Sequence, residues 1–271
     1  MTGLRVLRSL VWVGLLLCPG PVFSESGDSE LELSRTLKAM EAHLGVPVLL
    51  PSTESLPDIS TERFGFYPIR PADHRIVLRY ARLHLEEFRK YSRSFLRQNG
   101  LDSIVYVRGL RIASGKIAGT MLGALESPSQ RPHGSLVFDV SEPLPREDFI
   151  RYVAHHELFH LIDFVHFADA ASQRAWIRLN PPGFVYLRVA QSCGGTHMPA
   201  ERGFVTQYAM AEAGEDRADT FASLLVTPYY RRLLEQMDKD SILQAKVKLM
   251  KQQLRRVDAS LDESYFRGLH R

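Results

Sequence analysis

Apolar residues recur every three or four positions through LELSRTLKAMEAHL (31–44), the period of a helix with one buried face. The next stretch, GVPVLLPSTESLPDIS (45–60), is rich in Pro and Ser and predicts an extended connection. Residues 25–60 therefore read as an N-terminal helix with an extended linker or as a prosegment, and residues 61–271 as the main domain. There, Ile76, Leu78, Tyr80, Leu83, Leu85, Phe88, Tyr91 and Phe95 predict one long amphipathic helix over residues 71–100, closed by Asn99-Gly100. Three β-type runs follow, SIVYVRGLRI (103–112), KIAGTMLGAL (116–125) and GSLVFDV (134–140), separated by Gly, Ser and Pro clusters that predict a small antiparallel or mixed sheet. Beyond Pro145 nearly everything has helical periodicity, apart from a loop-like section at about 179–206. Helix, then sheet, then a mainly helical C-terminal half defines an α+β fold.

The first 24 residues stand apart from this pattern. MTGLRVLR is basic, SLVWVGLLLC is an apolar run, and PGPVFS ends in small residues, the layout of a secretory signal peptide. The run is well short of the ~20 residues that span a bilayer. The expected location is extracytoplasmic, secreted or periplasmic, with no stable transmembrane segment after cleavage. Loss of Arg5 and Arg8 lowers the formal charge from +3 to +1, so the pI near 8.9 gives no support to a nucleic acid partner. Loss of Cys18 leaves Cys193 without a partner in the chain, so no disulfide framework holds the fold. Nothing in the sequence speaks to oligomeric state.

The densest chemistry lies in HHELFHLIDFVH (155–166). Four residues apart on a helix, His156 and His160 sit about 40° apart in azimuth and one turn along, so both imidazoles can reach one ion. Glu157 follows the first histidine and completes HExxH. Catalytic zinc takes three protein ligands and leaves a position for water, so a third ligand is required. His166 offers one candidate, in the spacing HExxHxxxxxH of metzincins, although Asp163 stands where that motif has the Gly that turns the chain. On an uninterrupted helix His166 points about 120° from His160, while Asp163 lies about 20° from His156. Glu215 is the other candidate, four residues before Asp219 on a second amphipathic helix within YAMAEAGEDRADTFASLL (208–225). In gluzincins such a glutamate is the third ligand, and an acidic residue one turn later accepts a hydrogen bond from a ligand histidine. Glu212 and Asp216 read as a solvated acidic face, KVKLMKQQLRR (246–256) as a solvated basic one, and Met210 as a core residue. His155 reads as a bystander facing a neighbouring helix or solvent, and Cys193 with His197 as part of a Gly-rich loop at the rim of the cleft.

HELFHLID (156–163), GFVTQYA (203–209) and the run from Glu215 to Ala222 together resemble the gluzincin metallopeptidases of the anthrax lethal factor-like group and related bacterial zinc peptidases. The resemblance covers about residues 134–226. It implies a zincin-like metallopeptidase domain with an HExxH active-site helix and Zn2+ as cofactor. His156, His160 and Glu215 are then zinc ligands, Glu157 is the general base, and Tyr208, seven residues before Glu215, is the hydroxyl donor to the oxyanion. Asp219 and Asp163 are expected behind the ligands. Asp219 departs from the group, which often has Glu there, and 54 residues separate His160 from Glu215, so a substantial insertion stands beside the metal. The implied activity is peptide bond hydrolysis on a peptide or protein substrate. The alternatives are a metzincin-like peptidase using His166, a zinc-binding module without turnover, and a hydrolase of another amide.

Overall fold

The computed structural model describes residues 25–51, 64–112, 115–124, 132–187 and 200–270. Residues 1–24, expected to be a leader, the whole 52–63 connection and the loop with Cys193 and His197 lie outside the described residues. The chain opens with helix α1 (Glu25–Leu44), which buries Leu33, Met40 and Leu44 in the same core as the rest of the molecule. His43 Nε2 meets the Phe88 carbonyl at 3.0 Å, and Arg93 donates to the Ala42 carbonyl at 2.9 Å. Strand β1 (Val48–Leu49) then joins the sheet, and β2 (Gly65–Tyr67) leads into α2 (His74–Phe88).

The long helix expected over 71–100 is two helices. α2 ends at Phe88, and α3 (Arg93–Gln98) starts afresh because Ser92 adopts an extended backbone and its hydroxyl accepts the Phe95 N–H at 3.1 Å. A serine that can cap offers the backbone an alternative to continuing the helix, and hydrophobic periodicity is blind to that competition. Gly100 closes α3 at φ +72°, and a Cβ there would lie 2.4 Å from the Pro132 carbonyl oxygen, so only glycine fits the turn into the sheet.

The sheet is mixed. β3 (Leu101–Ile112) pairs in parallel with β1 on one side and with β6 (His133–Asp139) on the other, while β5 (Gly119–Ala124) runs antiparallel to β6. β2 and the two-residue β4 (Gly115–Lys116) pair with the distal part of β3. The order β1-β3-β6-β5 leaves β5 at an edge. Leu101, Ile104, Tyr106, Leu136 and Phe138 of the central strands enter the main core.

Helix α4 (Glu147–His166) carries the HELFH motif. Glu147 and Asp148 in its first turn complement the helix dipole, and Ile150, Ala154, Leu158, Phe159, Leu161 and Ile162 bury it on several sides. It packs against β5, α2 and α6 (Ala213–Leu225). Between α4 and α6 lie the short α5 (Ala170–Ile177) and a single 3-10 turn at Tyr208–Met210; α7 (Thr227–Met237), α8 (Ser241–Val257) and α9 (Glu263–Gly268) complete the helical half. Among the described residues, no helix is long and apolar enough to cross a membrane.

Candidate metal centre

α4 runs unbroken through Asp163 to His166, so its histidines obey helical spacing. His156 and His160 lie on the face turned to α6 and meet Glu215 from that helix. His156 Nε2 is 2.9 Å from Glu215 Oε2 and 3.1 Å from His160 Nε2, and His160 Nε2 is 3.4 Å from the same Glu215 oxygen. Among the described residues these three form the group able to hold a metal ion, and His166 is not part of it.

The triangle fits a small cation. Tetrahedral zinc at about 2.0–2.1 Å from nitrogen and carboxylate oxygen sets neighbouring donor atoms about 3.3 Å apart. Two imidazole nitrogens facing each other and one carboxylate are also the donor types that zinc takes. The electrostatics agree: burial opposes a charge on His156, but the carboxylates of Asp219 and Glu215 outweigh it and hold its pKa well above the ordinary value. His160 is likewise raised, by Glu215 acting against burial. Glu215 is pushed far down, since the two histidines overcome its desolvation. The pocket favours positive charge at its centre.

Asp219 supports this centre from behind. Its Oδ1 lies 2.8 Å from His156 Nδ1, which leaves Nε2 aimed at the Glu215 side. Its Oδ2 accepts from the Thr206 hydroxyl, and that oxygen in turn accepts the Ala209 N–H at 3.0 Å. Thr206 thus fastens the turn bearing Tyr208 to the same carboxylate. The Tyr208 ring lies with its centroid 5.9 Å from that of His156.

Glu157 is buried, and desolvation raises its pKa despite the two neighbouring histidines. β5 passes directly over it: a Cβ on Gly119 would come within 2.9 Å of Glu157 Cγ and 3.2 Å of its Oε1. Absence of a side chain at Gly119 therefore lets the edge strand approach the motif.

Other expectations need correction. Asp163 also meets the fully buried Arg217 of α6, Oδ1 to Nη1 at 2.5 Å, a partner the sequence did not indicate, and ties the two motif helices together. Arg217 also lies over the rings of Phe159, Phe167 and Trp176. Asp216 and Lys246 are not solvated: both are fully buried and paired at 2.6 Å, and burial raises the Asp216 pKa to about 6. Their partners are thirty residues apart, so each charge alone resembles a surface one. One signal was available, since Lys246 falls in the apolar stripe of α8 with Leu243, Val247, Met250 and Leu254. His155 does face a neighbouring helix, contacting Glu87 Oε2 at 2.6 Å and the Tyr91 hydroxyl at 2.7 Å. Met210 is buried, as expected of a core residue. Glu87 had no motif to mark it, and Thr206 and Arg217, though inside the segments that carry the resemblance, had no role assigned there.

No family model matches the chain, and no curated protein matches it. The crystal structure of a "putative zinc-binding metallo-peptidase" from Bacteroides caccae is similar over 92% of this chain and 93% of that one, with a TM-score of 0.56 and 16% sequence identity. The chain shares the α+β fold of that structure.

Proposed function

We propose that the protein is a zinc-dependent peptidase of the gluzincin type, working outside the cytoplasm. The observation that carries this reading is the convergence of His156, His160 and Glu215, with Asp219 behind His156 and Glu157 beside the same centre. His156 Nε2, His160 Nε2 and Glu215 Oε2 would hold the ion, which when bound supplies Lewis acidity toward water and the scissile carbonyl.

The chain's own groups do the rest. An extended peptide pairs with the free edge of β5, which runs over Glu157 at Gly119. Glu157 takes the proton of the attacking water, a task favoured by its burial-raised pKa, and hands it to the leaving amine. Tyr208, set against His156 by the Thr206–Asp219 link, donates its hydroxyl to the oxyanion of the tetrahedral intermediate. The residues 1–24 leader directs export, which the N-terminal sequence of the exported protein checks: retention of Met1 on mature material contradicts it.

A peptide library incubated with the purified protein tests the activity. Cleavage that stops with a chelator, returns with zinc and is absent in Glu157→Gln is the expected result. Cleavage by Glu157→Gln at the parent rate, or none by the zinc-loaded parent, overturns it.

A further inference from the structure

The buried pair of Asp216 and Lys246 has connections that the metal centre does not explain. Asp216 Oδ2 accepts three hydrogen bonds, from Lys246 Nζ at 2.6 Å and from Trp176 Nε1 and the Tyr186 hydroxyl at 2.8 Å each. Lys246 Nζ also donates to the Gly203 carbonyl at 2.8 Å. Tyr186 and Gly203 belong to different limbs of the long connection between α5 and the 3-10 turn, one described through residue 187 and the other from residue 200. The ion pair therefore grips both limbs at once.

The limbs share a core of their own. Phe184, Tyr186, Phe204, Val205, Ala209 and Met210 pack together as a satellite cluster, and Lys246 Nζ lies 3.8 Å from the centroid of the Phe204 ring. Leu187 N–H donates to the Met210 carbonyl at 3.0 Å, so the outgoing limb runs beside the turn that carries Tyr208. On the inner side, the pair's carboxylate belongs to the residue next to Glu215 in α6. Stability alone is a poor reason for this arrangement, because an apolar pair of similar volume serves as well or better in many cores.

We propose that Asp216 and Lys246 are positioning residues that lock residues 184–187 and 203–210 against the helix bearing Glu215, making these two described limbs a fixed wall that sets substrate position. The proposal deepens the peptidase reading and rests on it for the role in substrate binding. Removing one charge would orphan the other, so the test uses the double variant Asp216→Asn/Lys246→Met, with Lys246→Arg as the conservative control. Three quantities are measured against the parent: kcat and KM on a peptide selected from the library, zinc affinity by competition with a chromogenic chelator, and backbone hydrogen exchange.

The double variant is expected to keep parent zinc affinity and near-parent kcat while KM rises about tenfold, the signature of lost binding rather than lost chemistry. Exchange rises in residues 184–187 and 203–210 with α4 unchanged, and Lys246→Arg keeps a KM close to that of the parent. Unchanged KM, or a fall in kcat and zinc affinity together with faster exchange throughout, overturns the proposal. If the zinc-loaded parent cleaves nothing, the peptidase reading fails separately, and unchanged exchange in the two limbs then disposes of the anchor as well.

Discussion

In the proposed centre Glu157 is the base and Asp219 holds the His156 ring, so their variants separate. Glu157→Gln keeps the shape of the side chain but removes the base, and turnover is expected to fall by about 10²–10⁴-fold with zinc content unchanged. Equal loss of zinc and turnover would assign Glu157 to the metal instead. Asp219→Ala frees the His156 ring and lets go of Thr206, so zinc affinity is expected to weaken about 10–100-fold in a chelator competition. Undiminished affinity would remove Asp219 from the centre. At this scale the sequence was legible wherever one helix supplies the spacing, as for His156, Glu157 and His160. The partner of Asp163 was not legible, because azimuth puts it near His156 and does not show the buried guanidinium from α6 that pairs with its carboxylate. Azimuth says where a side chain starts and nothing about its partner.

Between elements, two contacts govern the motif helix. β5 touches α4 at Gly119, and Gly119→Ala would force either the strand or Glu157 to move by several tenths of an ångström. The expected outcome is a fall in kcat/KM larger than any change in zinc content; parent activity in that variant would show that the strand can give. On the other flank, α2 supplies His84 and Glu87. Burial holds His84 at about 3, far below its ordinary value of 6.5. Burial would raise Glu87, but the hydrogen bond and charge of His155 and the charge of Lys90 bring it down to about 2. The unfolded chain binds more protons than the folded one from pH 6.5 down to about 3 at His84, and from 4.5 down to about 2 at Glu87. Stability therefore falls with pH across that window, His84 acting first. In thermal melts between pH 7 and 4.5, His84→Phe should lose less Tm than the parent; parallel curves would contradict the assignment. Periodicity located α2, but the fresh start of α3 beyond it depends on the Ser92 cap.

Across the whole molecule, the N-terminal helix shares the core of the domain that carries the candidate metal centre. Met40 and Leu44 are fully buried in the main core, and Tyr106 of the central strand donates to Met40 Sδ at 3.7 Å. Deleting residues 25–44 should abolish cooperative unfolding in a melt rather than release an active remainder, and a sharp transition in the truncated chain would refute this. The α+β class and the helical second half were legible because long periodic segments carry their own signal. The parallel pairing of β1 with β3 and the partnership of Asp216 with Lys246 join residues far apart in sequence, and no local pattern encodes either. That buried carboxylate has an optical consequence. The chain has two tryptophans, Trp12 in the leader and Trp176, whose indole donates to Asp216. In the mature protein proposed above, tryptophan fluorescence comes from one ring buried against the ion pair, and Glu215 of the candidate metal centre is the residue before that carboxylate. Emission from the unlabelled protein then reports on the joint between the two limbs and the candidate metal centre.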